Sequence, residues 1–158
     1  MRASRPLMQR IAELVALSHD HHSALVLARR CRQSQKPGAE VGVEEAWRQV
    51  LEAFPRDLEP HFTIEERHLL PALEEAGEEA LVRRVREDHA ALRALVAEPA
   101  ADPVRVERFG AALEAHVRFE EREVFEVAQR KLAAPALAEV AEACRRLPRL
   151  LGSGDASG

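Results

Sequence analysis

Apolar residues along this chain recur every three or four positions over long stretches, and polar residues fill the positions between them. Leu7, Ile11, Leu14, Leu25 and Ala28 share one helical face, while Gln9, Glu13, Arg29 and Arg30 fall elsewhere around the same cylinder. That spacing predicts a first helix from about Leu7 to about Gln33. The polar stretch SQKPGAEVG breaks it through Pro37, Gly38 and Gly42. A second helix runs from near Val43 to about Ala76, with Gly77 as its stop. Pro55, Pro60 and Pro71 lie inside it and predict kinks, or a short break near Pro55. A third helix covers about Glu78 to Ala97 and ends before EPAADP. A fourth starts at Pro103, a favoured first-turn residue, and reaches about Leu132. A shorter amphipathic segment, Pro135 to Leu147, packs as an appendage, and the small polar tail GSGDASG reads as disordered.

Four long helices with short connections predict an all-α fold, an antiparallel up-and-down four-helix bundle with a short C-terminal helix. Composition agrees: Ala, Leu, Glu and Arg dominate, Tyr is absent, and aromatics make up 4% of residues. A length of 158 residues suits one domain, taken as residues 1–148 with a disordered tail at 149–158. Charged residues make up 32%, but both signs interleave and the net charge is only -4. No basic footprint for nucleic acid and no polybasic membrane patch is present, so partners of those classes are not expected. No apolar run is long enough to span a bilayer and no signal peptide opens the chain, which points to the cytoplasm. Cys31 and Cys144 are too few for a disulfide framework and read as free thiols.

One polar phrase occurs twice inside these apolar helices. Residues 61–73 read HFTIEERHLLPAL and residues 116–128 read HVRFEEREVFEVA. On a helix, positions four apart lie only about 40° from each other, so His61 stacks with Glu65 and His116 with Glu120. Glu66 and Glu121 lie about 140° from the histidines, face solvent or a neighbouring helix, and are not counted as ligands. The first and third helices each carry an aspartate directly before a histidine, Asp20 with His21 and Asp88 with His89. The order is therefore Asp-His, His-x-x-x-Glu, repeated, and two such hairpins brought together place four histidines and two carboxylates around one point in the core. Phe62, Ile64, Leu69, Leu70, Phe119, Val124 and Phe125 put the polar pairs within or beside buried stripes. Unpaired buried carboxylates cost on the order of several kcal/mol each, and a cation offsets that cost.

Imidazole and carboxylate without thiolate suit iron, manganese or catalytic zinc, and two bridging carboxylates with two histidines per side fit a pair of ions better than one. The chain resembles a hemerythrin-like, or HHE cation-binding, domain in the DH of its first and third helices, HFTIEE with the following LLP in the second, and HVRFEE in the fourth. The resemblance implies a non-haem di-iron centre, two iron ions bridged by an oxo or hydroxo group, inside a four-helix bundle. The implied ligands are His21, His61, Glu65, His89, His116 and Glu120. Oxygen-carrying members place a second histidine four residues from the one on the third helix, where this chain has Val85 and Arg93. His22 is the nearest spare histidine and stands as a fifth imidazole ligand or as the true ligand in place of His21, although the apolar stripe favours His21. His19 reads as a surface residue, and His68, two turns beyond His61, as a core or supporting residue. Such a centre binds or senses dioxygen, nitric oxide or peroxide, or handles iron. An enzyme with peroxidase or nitric oxide reductase-like activity and a structural bundle with adventitious zinc are the alternatives, and the oligomeric state is left open.

Overall fold

The computed structural model describes residues 9–147, and these are all-helical, with no strands. We number the helices α1 (Ala12–Gln33), α2 (residues 43–75), α3 (Glu79–Val96), α4 (residues 103–131) and α5 (Ala134–Arg146). The predicted boundaries agree to within a residue or two, except at the start of α1. Gln9 to Ile11 are not helical, and the Ile11 amide donates instead to the Gln129 side chain at 3.0 Å. Leu7 lies outside the described residues, as does the tail expected to be disordered. Among the described residues no helix is long and apolar enough to cross a membrane.

Local chemistry accounts for the ends. Asp102 caps α4 by accepting from the amides of Val104 and Arg105 at 2.8 and 3.3 Å, with Pro103 in the first turn where a missing N–H costs nothing. Gly77 ends α2 at φ +87°, and the amides of Gly77 and Glu78 return to the carbonyls of Glu74 and Leu73. These two reversed bonds need a left-handed residue, which glycine supplies without strain.

The prolines of α2 do not break it. The helix widens into turns with i to i+5 bonds at Phe54–Leu58 and Glu65–Leu69, directly ahead of Pro60 and Pro71. A proline ring collides with the carbonyl four residues back, and here those carbonyls, of Arg56 and Arg67, lie inside the widened turns. A third wide turn, Glu120–Val124, has no proline after it. It shares with Glu65–Leu69 a first residue that is one of the two motif glutamates.

Two apolar clusters form the core. One gathers Trp47, Val50, Phe54, Phe62, Phe109 and Leu113, and the other Leu14, Leu17, Leu69, Leu73, Val85 and Phe125. Between them lies a layer in which His21, His61, Glu65, His89, His116 and Glu120 are all buried. The C-terminal helix is more than the predicted appendage: Leu137, Val140 and Cys144 belong to the second cluster, where α5 packs on α1 and on the 65–69 turn of α2. Both cysteines are buried and neither forms a disulfide, and burial pushes the Cys31 thiol up to about 12.

Helices α1 and α4 approach most closely at Gly110, where a Cβ would stand 2.7 Å from the Ala28 carbonyl oxygen and 2.9 Å from the Cys31 Cβ. Backbone cannot rotate away as a side chain can. Gly110→Ala should therefore destabilise the protein by about 1–3 kcal/mol despite alanine's better helix propensity. Chemical denaturation checks this, and unchanged stability would mean the two helices part freely.

Candidate metal centre

Each element brings its polar residue inward for a reason visible in its own sequence. His21 continues the stripe of Leu14, Leu17, Ala24 and Ala28 on α1, all of them buried. On α2, His61 and Glu65 are one α-turn apart, and the wide turn that begins at Glu65 moves the next inward position from His68 to Leu69. On α4 the same device follows His116 and Glu120, making Val124 the next inward residue. His89 is buried on α3 beside Val85 and Leu92. Wide turns of this kind occur often at functional sites.

The side chains converge into two overlapping sets, His21, His61, Glu65 and Glu120, and Glu65, His89, His116 and Glu120. Within each set one donor atom per residue lies within 4.8 Å of all the others, and Glu65 and Glu120 belong to both sets. Buried atoms without a hydrogen-bond partner concentrate in this layer: Nε2 of His61, His89 and His116, both oxygens of Glu65, and Oε2 of Glu120. Several of them are close, with His89 Nε2 3.2 Å from Glu65 and His61 Nε2 3.4 Å from the same carboxylate. Proximity without hydrogen-bond alignment is what donors aimed at a shared cation produce. Imidazole and carboxylate together, with no thiolate, fit iron or a similar ion.

The outward Nδ1 of every histidine in the layer meets a carboxylate. His61 reaches Asp20 at 3.1 Å and His116 reaches Asp88 at 3.0 Å. His21 reaches Glu121 and His89 reaches Glu66, each at 2.9 Å. A carboxylate can only accept, so Nδ1 carries a proton and a cation in the layer would meet Nε2 as the electron-pair donor; without one, His21 Nε2 bonds instead to Glu120 at 3.1 Å. The aspartate of each Asp-His pair thus holds the histidine of the next helix, and the second glutamate of each motif holds a histidine on a different helix. Sequence reasoning missed these roles, although the repetition of both residues in both hairpins was the available signal. Ser18 and Arg10 support Glu121 at 2.7 and 2.9 Å, and Arg84 supports Asp88 at 3.1 Å.

His22 is exposed and stands outside both sets, one step around α1 from His21. His19 is exposed too, and His68 is half-buried outside both sets. Arg93, at the position where a further histidine was sought, bonds to Glu59 and Glu66.

A groove of about 930 Å³ between α1 and α2 reaches the layer, with His21, His61 and His116 in its lining and Arg30, Arg48 and Arg56 among its charged residues. His89 does not line it, and its ring lies stacked on Phe62, with centroids 3.9 Å apart.

These features define a helical bundle with a buried, metal-binding-capable histidine and carboxylate centre. The family model for the hemerythrin HHE cation binding domain matches residues 10–128, and the chain belongs to that family. No curated protein and no solved structure shows a significant match.

Without a cation the layer attracts protons. Burial opposes charge on His116, but Glu120, Asp88 and Glu65 outweigh it and raise the imidazole to about 10. His61 is raised well above its ordinary value against the same opposition, chiefly by Glu65 and Asp20. Burial likewise opposes charge on Glu120, which is nevertheless held well below its ordinary value by His116, Glu65 and His21. A raised histidine stabilises the folded state fully below its unfolded value and loses that contribution as pH rises through the folded one. The metal-free protein should therefore lose stability as pH climbs from 6.5 toward about 10. Glu120 acts in the opposite direction, contributing above 4.5 and losing its contribution as pH falls. Denaturant melts in chelator across this range check the trend. Metal-loaded protein should gain stability with rising pH, because the imidazoles must release their protons to bind.

Proposed function

We propose that this protein is a non-haem di-iron protein of the hemerythrin type, which binds or senses a small ligand, dioxygen, nitric oxide or peroxide, or handles iron. The observation that carries the reading is the pair of overlapping donor sets sharing Glu65 and Glu120, with most of their inward atoms left without a hydrogen-bond partner and one inward bond made, from His21 Nε2 to Glu120 at 3.1 Å. His21 and His61 would hold one ion, His89 and His116 the other, and the two glutamates would bridge them. When bound, two irons would supply redox chemistry and open coordination positions for a small ligand. The chain's own work is to keep four imidazoles neutral at Nε2 through their Nδ1 partners and to exclude water with the apolar clusters on either side. The groove delivers a ligand to the edges of His21 and His61. We read the four long helices as an antiparallel up-and-down bundle, on the short connections at residues 34–42, 76–78 and 97–102. Two buried cysteines outside any disulfide go with a reducing compartment such as the cytoplasm.

A second reading is a di-iron enzyme with peroxidase or nitric oxide reductase-like activity; the groove favours its peroxidase form, since its volume falls within the range of organic-ligand pockets and leaves room for an organic reductant. Metal analysis on protein purified without oxygen tests the centre, and two irons per chain is the expected result. Zinc alone after growth in iron-rich medium would point instead to an adventitious site in a structural bundle. Optical spectra after separate additions of oxygen, nitric oxide and peroxide then distinguish reversible binding from turnover with a reductant.

Glu65→Ala and Glu120→Ala should each empty both ion positions, since each removes a donor common to the two sets. Glu66→Ala and Asp20→Ala should weaken binding by roughly 10–100-fold, the usual effect of losing an orienting partner. Competition titration with a chelator measures both, and a Glu66→Ala loss equal to that of Glu65→Ala would make Glu66 a ligand.

A further inference from the structure

Arg93 has no electron pair to offer a cation, yet it is bound closely into the centre. Its Nε donates to both Glu59 oxygens at 3.0 Å, and its Nη2 donates to Glu59 at 2.6 Å and to Glu66 at 3.1 Å. Its Nη1 donates at 2.7 Å to Glu66 Oε1, the same oxygen that accepts from His89 Nδ1 at 2.9 Å. Glu59 and Glu66 stand on either side of His61 and Glu65 along α2, so one guanidinium on α3 spans the stretch that carries two donors. The guanidinium carbon also lies 5.8 Å from the centre of the Phe62 ring, whose face is stacked on His89. His89 is 0% exposed, while the groove reaches the centre along His21, His61 and His116.

We propose that Arg93 is a positioning residue that closes the His89 side of the centre: it fixes Glu66, and through it the His89 ring, and braces the Phe62 plate over that ring. The groove between α1 and α2, lined by His21, His61, Phe62 and His116, is then the way in, and His89 is the donor that it does not reach although the four imidazoles match in type. The planar fork of arginine is what allows one side chain to hold two carboxylates at once. The proposal rests on the metal-centre reading only for which ion a ligand reaches, since the bracing of His89 is a property of the chain itself.

The test is solvent exchange of the histidine Nδ1 protons, followed by NMR on the full chain with 15N-labelled histidine, both metal-free and loaded with cobalt(II) as a paramagnetic probe. In Arg93→Met the His89 proton should exchange roughly tenfold faster or more, in line with loss of an orienting partner, while the His61 proton on Asp20 keeps its rate. Arg93→Lys should recover part of the protection, because it restores the charge without the fork. An unchanged His89 rate, or an equal acceleration at all four rings, overturns the proposal, the latter because it signals general loosening. If Arg93→Met does not fold, Glu59→Gln, which weakens the other anchor of the guanidinium, carries the same expected ranking. Failure to bind cobalt would count against the metal centre, while the metal-free measurement still decides the role of Arg93.

Discussion

Two carboxylates buried in a layer of imidazoles are the constraint on which this structure depends. Glu65 and Glu120 are each 0% exposed and lie between two apolar clusters, where water cannot reach them. A protein interior tolerates such groups only if hydrogen bonds or opposite charge compensate them. Here the Nδ1 hydrogen bonds lead outward to the surrounding carboxylates, one inward bond joins His21 Nε2 to Glu120, and the other inward atoms are left for a cation, or in its absence for protons. The rise of His116 to about 10 expresses the same imbalance from the side of the protons.

Charge is graded outward from that layer. The four carboxylates that receive the histidine protons would add considerable negative potential, and arginines meet three of them: Arg93 at Glu66, Arg84 at Asp88 and Arg10 at Glu121. The histidine–carboxylate bonds join α1 to α2, α2 to α3, α3 to α4 and α4 to α1, so the ring around the centre also ties the helices together. Replacing one of these carboxylates with an apolar residue would free a ring to rotate. The donor geometry and the packing of the bundle are therefore one arrangement and cannot be varied independently.

Access is uneven where the donors are nearly symmetric. Helix α5 fills part of the seam between α1 and α2, and the groove occupies another part of it, with Leu147, just past the end of α5, in its lining. On the other side, Phe62 and the Arg93 bridge cover His89. The repeat in the sequence predicts two equivalent halves, but the groove touches His21, His61 and His116 and leaves out His89.

The sequence by itself determined the helices and the six inward residues, because helical periodicity is local and a stripe of Leu14, Leu17, His21, Ala24 and Ala28 declares its buried face one turn at a time. Its two cysteines, Cys31 and Cys144, were also too few for a four-thiolate site. Other features depended on distances between helices, which no local pattern carries. Glu66, Glu121, Asp20 and Asp88 look like ordinary polar residues beside a ligand motif until the neighbouring helix arrives with a histidine. His21 and His22 are adjacent letters; the apolar stripe favours His21, and packing against α4 places it in the layer while His22 stays exposed. The wide turns after Glu65 and Glu120 are likewise a tertiary outcome: periodicity of 3.6 projects His68 inward, and the extra residue in the turn hands that place to Leu69. Local spacing decides which side chains leave a helix in the same direction, but which groups they meet is decided where four helices compete for one buried volume.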